Sequence, residues 1–239
     1  MEKQPHIQLD EQIAVTKAVI VGDPARVDKF KPSLEGARDL AYNREFKSIC
    51  GVYAGQKVLV LSSGVGAPSA GIAVEELFNI GVRQIIRVGS AGAMQKDIDL
   101  GRLIIGIGAV RDDGLSKKYV DIAFPAVPSP ELLSAAKQLA PDAVYGVVRS
   151  HDGFYMDDNA ETEAYWSSKG VVGADMESGI LFTLGLLRGI KTLSILNNVV
   201  LYQEDLSAGV NALVGGDDKV AKGEIASIEL ALKVLARVK

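Results

Sequence analysis

Residues 84–93 read Gln84-Ile85-Ile86-Arg87-Val88-Gly89-Ser90-Ala91-Gly92-Ala93. Gln84–Val88 is a short apolar run that suits a strand, and the glycines and serine behind it suit a loop. An arginine inside such a run is costly to bury without an anionic partner. Two readings account for Arg87. One is an internal salt bridge to one of the chain's carboxylates. The other is an anion bound where Gly89-Ser90 follows the strand, and that placement favours it.

The pattern around this stretch is an alternation of strands and helices. On its N-terminal side, Pro68 opens a helix that runs through Ala73, Leu77 and Ile80 and stops at Gly81. Before it, Phe46–Tyr53 and Lys57–Ser62 read as strands joined through Ala54-Gly55-Gln56, and Ala18–Val21 as a strand ending at Gly22-Asp23-Pro24. On the C-terminal side, Leu103–Val110, Ala143–Val148, Val171–Ala174 and Thr192–Asn197 read as strands. Pro130–Leu139 suits a helix. Ser178–Leu187 is apolar on all sides and reads as a buried helix. Val220–Val238 is a closing amphipathic helix. Such alternation predicts an α/β domain with a mixed or mostly parallel sheet, and these sheets bind ligands beyond the strand ends.

Composition bounds the function. The 239 residues are enough for one large domain or two small ones, and no long repeat, low-complexity tract or linker divides them. At 48% hydrophobic and 23% charged residues, a sizeable core is expected rather than disorder. The formal net charge of −4 gives no general attraction for nucleic acid or anionic membrane. One cysteine, Cys50, forms no internal disulfide, and with two histidines it cannot make a typical structural zinc site. No stretch reaches the ~20 apolar residues of a membrane span, and the N-terminal MEKQPHIQLD lacks the apolar core of a signal peptide. A cytoplasmic protein is expected.

Three further glycine-bearing segments follow strands. In Val21-Gly22-Asp23-Pro24-Ala25-Arg26, glycine lets the backbone approach a ligand, and Arg26 offers a planar fork for phosphate or carboxylate; a turn with a surface arginine is the plainer reading. Ser62-Ser63-Gly64-Val65-Gly66-Ala67-Pro68-Ser69 lacks the third glycine of a dinucleotide fingerprint, and Pro68 interrupts it. No Walker A sequence is present. Gly173-Ala174-Asp175-Met176-Glu177-Ser178 sits at a strand-to-helix junction. Its acids either cap the helix or, at Glu177, accept hydrogen bonds from sugar hydroxyls.

Taken together, G-D-P-x-R (22–26), N-R-E-F (43–46), G-V-G-x-P-S (64–69), R-V-G-S-A-G (87–92) and D-M-E-S (175–178) resemble the nucleoside phosphorylase-I family. That family includes uridine phosphorylases and the hexameric purine nucleoside phosphorylases. The resemblance runs from Gln4-Pro5-His6-Ile7 to the last helix. It implies a single α/β domain over residues 1–239, with a central mixed sheet flanked by helices, assembled as a hexamer of three dimers. The implied reaction is attack of inorganic phosphate on the anomeric carbon of a nucleoside, through an oxocarbenium-like transition state, releasing the base and a pentose 1-phosphate. Gly22, Arg26, Arg87 and Ser90 would bind phosphate, and Arg44 would reach it across a dimer interface. His6 of a neighbouring subunit would touch the ribose 5′-hydroxyl. Met176 and Glu177 would hold the ribose, with Arg87 and Glu177 central to catalysis. Gly92 and Phe154 would adjoin the base, although Phe154 also reads as a plain core aromatic. No cofactor is implied beyond phosphate as co-substrate. A monovalent cation such as potassium between subunits is expected at Glu45, Ser69 and the Val65 carbonyl; a salt bridge is the plainer role of Glu45.

The base is read from what is kept and what is missing. Val110–Ser116 and Phe124-Pro125-Ala126-Val127 resemble the uridine branch. The purine branch carries an aspartate after the Thr192–Asn197 strand, and Asn197-Asn198-Val199-Val200-Leu201-Tyr202 has no carboxylate. Yet the Gln-x-Arg pair that the uridine branch often carries is also absent, because Met156-Asp157-Asp158-Asn159-Ala160 follows Phe154-Tyr155. His151, Asn197, Asn198 and Gln203 are candidates by type to read uracil's edge. Uridine phosphorolysis is therefore expected first and a purine nucleoside second. A nucleosidase would leave Arg26, Arg44 and Arg87 without a purpose. A non-catalytic nucleoside-binding protein draws support only from the unusual base-site residues.

Overall fold

The computed structural model describes residues 2–204 and 218–239. In chain order the elements are β1 (Lys17–Val21), α1 (Pro24–Asp28), β2 (Glu35–Asn43), β3 (Phe46–Tyr53), β4 (Gln56–Ser62), α2 (Ala67–Asn79), β5 (Gln84–Ala93) and β6 (Leu103–Asp112). There follow α3 (Ser116–Tyr119), α4 (Pro130–Leu139), β7 (Val144–His151), α5 (Asn159–Ser167), β8 (Gly173–Asp175), α6 (Ser178–Arg188), β9 (Lys191–Val200) and α7 (Asp218–Arg237). Among the described residues no helix is long and apolar enough to cross a membrane.

One mixed sheet runs in the order β2-β3-β4-β1-β5-β8-β7-β6-β9, and β9 returns to pair with β5. Strands β5, β8, β7, β6 and β9 therefore close a ring, while β1, β4, β3 and β2 extend from it. The hinge of this design is β5. It pairs in parallel with β1 on one flank and with β9 on the other, and its far end, Gly92 and Ala93, pairs antiparallel with Ala174 and Gly173 of β8. The sequence suggests a loop at Gly89–Gly92; the strand instead continues to Ala93, because β8 and β9 take up its backbone groups.

Alternation along the central strands sorts the core onto two faces. Val19 and Val21 of β1 join Ile86 and Val88 against α4 and α7. Ala18 and Ile20 join Ile85 against α2 and α6. Helix α6 is buried from Ser178 to Gly185, as its composition suggests, with Leu186 exposed. The sequence gives no signal for β2, whose residues are exposed or half-buried. Helix α7 reaches β9 only because position 223 is glycine. A Cβ there would lie 2.1 Å from Asn197 Oδ1 and 2.5 Å from the Gly101 carbonyl oxygen.

Overpacking a fixed contact of this kind costs about 1–3 kcal/mol. Gly223→Ala is expected to lower the melting temperature by several degrees, at roughly 2–4 °C per kcal/mol for a chain this size. An unchanged melting curve would show that α7 does not dock at that distance.

Candidate active site

The carboxyl ends of three parallel strands meet at one place. Val21 of β1 is in register with Ser62 of β4 and Val88 of β5, so the segments that follow each strand lie side by side. Gly22 is set so close that a Cβ would come within 3.3 Å of the Gly64 carbonyl oxygen. Asp23 caps the short helix α1 by accepting from the Ala25 N–H at 2.8 Å, and Pro24 fixes its first turn. This turns Arg26 inward. Its Nη2 donates to Ser90 Oγ at 3.2 Å, and its Nε donates to Glu224 of α7 at 2.7 Å. Gly22 and Arg26, from one segment, are thus brought to Ser90 of a distant one.

Arg87 is the most constrained member. It is buried, with Nε donating to Asp175 Oδ2 at 3.0 Å and Nη2 paired with Glu177 Oε2 at 2.5 Å. Its guanidinium lies over Gly89, where a Cβ would sit 2.5 Å from Nη2. Burial opposes its charge, but Glu177 and Asp175 outweigh this and raise its pKa. Nη1 is buried with no hydrogen-bond partner among the described residues. The internal salt bridge of Arg87 is thus present, and one guanidinium donor is left unsatisfied among the described residues.

Asp175 and Glu177 divide the work that the sequence leaves ambiguous. The acid that caps α6 is Asp175, accepting from the Ser178 N–H at 3.0 Å and from its hydroxyl at 2.7 Å. Glu177 points elsewhere. Its Oε1 accepts from the Gly66 N–H at 2.6 Å, at the start of α2, which has no side-chain cap of its own. Burial raises the Glu177 carboxyl above its ordinary range, although Arg87 pulls the other way. Met176 between them is half-buried. Gly92 pairs with Ala174, two residues before Met176.

Other expected residues lie apart from this cluster. Arg44 stands exposed at the β2–β3 hairpin with a left-handed φ of 53°, and makes no salt bridge among the described residues. The His6 side chain is half-buried, with Nδ1 2.6 Å from Glu76 of α2 and its carbonyl accepting from Asn43. Ser69 donates to Glu45 at 2.6 Å, so two of the three expected cation ligands touch; Val65 is exposed. Phe154 is not a plain core residue. It is half-buried, lies edge-on to Tyr155 at 4.8 Å, and lines a cavity of about 520 Å³ with Met156, Asn159, Glu163 and Gln203. Asn197 and Asn198 donate to the backbone at Val220 and at Ile98 and Asp99, and the Oδ1 of each is buried without a hydrogen-bond partner among the described residues. Glu224, missed in the sequence, had no motif to mark it. Its only signal is a buried acid on the inner face of an amphipathic helix.

Residues 16–199 match the sequence model of the Phosphorylase superfamily, and the chain belongs to that family. A guanosine phosphorylase of Halorubrum lacusprofundi is 32% identical over 238 residues, covering 98% of this chain and 97% of that protein. A uridine phosphorylase of Treponema pallidum is 36% identical over 205 residues, covering 80% of each chain. Among solved structures, a uridine phosphorylase from Vibrio fischeri ES114 superposes with a TM-score of 0.92 at 45% identity, covering 100% of this chain and 99% of that one.

The support beneath Arg26 has a pH signature. Burial opposes ionisation of Glu224, but Lys29 and Arg26 outweigh it and hold its pKa below the usual value. A depressed folded-state pKa stabilises the fold above the ordinary glutamate range, and that stability is lost as pH falls through the folded-state value. Glu224→Gln is expected to cost about 1–3 kcal/mol near neutral pH, with the difference from wild type closing as pH falls through the carboxylate range. A melting difference independent of pH would contradict this role.

Proposed function

We propose that this chain is a nucleoside phosphorylase whose substrate is uridine, forming uracil and ribose 1-phosphate. One observation carries the reading. Arg87 is anchored by two carboxylates yet keeps Nη1 buried without a hydrogen-bond partner among the described residues, and three residues further along the same strand Ser90 accepts from Arg26. A buried guanidinium N–H without an acceptor is costly, and an anion bound there satisfies it. Phosphate fits the fork of Arg87, the guanidinium of Arg26, the Ser90 hydroxyl and the open backbone at Gly22.

The remaining roles follow from position. Glu177 accepts the ribose 2′- and 3′-hydroxyls, and Met176 packs against the sugar. Their contacts fix the anomeric carbon over the phosphate, which turns a bimolecular attack into a positioned one. Gly92 and Phe154 flank the base. Arg44, exposed on its hairpin, reaches the phosphate of a neighbouring subunit, and His6 reaches the neighbour's ribose through the ring edge not held by Glu76. The active assembly is then a hexamer built from three dimers, and a lone chain has an incomplete site. Glu45, Ser69 and the Val65 carbonyl offer hard oxygen donors suited to a monovalent cation at that interface. A cytoplasmic location agrees with the single, free and buried Cys50.

A purine nucleoside is the second reading, favoured by the guanosine phosphorylase that matches nearly end to end. Base release from uridine, thymidine, inosine and adenosine, each with and without phosphate, decides between them. Phosphate-dependent uracil release is expected. Phosphate-dependent release from purines alone would give the second reading, and release without phosphate would make the chain a nucleosidase. Arg87→Met is expected to reduce phosphate-dependent turnover at least about 100-fold and to lower the melting temperature, because it leaves Asp175 and Glu177 buried without their cation. Near-normal turnover would remove Arg87 from the mechanism.

A further inference from the structure

The Phe154 cavity carries the polar side chains of Asn159, Glu163 and Gln203, but the Gln-x-Arg pair that reads the base in the uridine branch is absent after Phe154-Tyr155. The sheet register points to a replacement. Gly92 of β5 pairs with Ala174 of β8, and Ala174 is in register with Arg149 of β7. Cross-strand partners project to the same face of a sheet. Arg149 therefore leaves the sheet on the face of Gly92, with only the Ala174 methyl between them. The neighbouring residue confirms the sense. Ser150 lies on the opposite face, its Cβ 3.0 Å from the position a Cβ would take on Gly179 of α6.

Arg149 is 2% exposed. Its Nε donates to Asp112 Oδ2 at 2.7 Å, and its Nη1 is buried with no hydrogen-bond partner among the described residues. His151, two residues on and so on the same face, likewise keeps Nδ1 buried and unpartnered. From there the chain passes through Asp152-Gly153 to Phe154 and the cavity it lines. Two buried polar atoms on the Gly92 face, each without a hydrogen-bond partner among the described residues, call for a ligand with complementary groups.

Resting on the phosphorylase reading above, we propose that Arg149 is the residue that determines base specificity and stabilises the departing base. Its Nη1–H donates to an exocyclic carbonyl oxygen of the base, and His151 Nδ1 accepts from the ring N–H beside that carbonyl. In the reaction a phosphate oxygen forms its bond to the anomeric carbon while the glycosidic C–N bond breaks. Both electrons of that bond go to the base, which leaves as an anion and takes a proton from water. Its charge spreads onto the carbonyl oxygens, where Arg149 holds it. The substrates are nucleosides of carbonyl-bearing bases, and adenosine is excluded because its base has no carbonyl.

The test compares wild type with Arg149→Met on uridine and on 5-fluorouridine, whose base departs as a more stable anion. The variant is expected to lose about 100-fold or more in kcat/KM on uridine, distinctly less on 5-fluorouridine, with the KM for phosphate unchanged. Arg149→Lys should recover part of the loss. If Arg149→Met fails to fold, Arg149→Lys, which keeps the buried charge beside Asp112, carries the same leaving-group comparison. Equal losses on the two nucleosides, or turnover near wild type, would overturn the role of Arg149 and leave the phosphorylase reading standing. A wild-type chain that releases no base with phosphate would overturn that reading and this proposal together.

Discussion

The buried ion cluster of Arg87, Asp175 and Glu177 is the constraint on which the site depends. Removing either partner from a buried charge is strongly destabilising, so the three groups must be delivered together. That requirement fixes much else. Gly89 has no side chain because the guanidinium occupies its space. The β5–β8 pairing holds Asp175 and Glu177 at the height of Arg87, and the Ser178 hydroxyl, bonded to both Asp175 and Ser194, ties the cluster to β9. The five-stranded ring is thus the frame that brings a strand end and a helix start to one point.

Around the cluster, each helix start is satisfied in a way that frees a functional group. Asp175 caps α6, which lets Glu177 turn away from its own helix and accept from Gly66 at the start of α2. Asp23 caps α1 and turns Arg26 towards Ser90. Glu224 then anchors Arg26 from the far end of the chain. The electrostatic balance matters as much as the contacts. Both arginines are held in place by carboxylates, and Nη1 of Arg87, without a partner among the described residues, is the donor proposed to meet phosphate.

Much of this was legible in the sequence because local chemistry announced it. Arg87 in an apolar run, Gly22 and Arg26 after a strand, and the D-M-E-S junction all carry their meaning within a few residues. The central strands and α4 follow from apolar runs and from Pro130. What escaped depends on distant partners. Strand β2 has no apolar face to mark it, and Gly89–Gly92 reads as a loop until β8 and β9 pair with it. Glu224 and Arg149 are ordinary charged residues until register places one beside Arg26 and the other across from Gly92. The division of labour between Asp175 and Glu177 likewise requires knowing that Gly66 stands opposite.

The most direct measurement is calorimetric titration of inorganic phosphate into the wild-type chain and into Arg87→Met, without nucleoside. Saturable binding by wild type and its loss in a folded Arg87→Met variant is the expected result. Equal binding by both would contradict the claim that the buried cluster exists to hold a donor ready for phosphate.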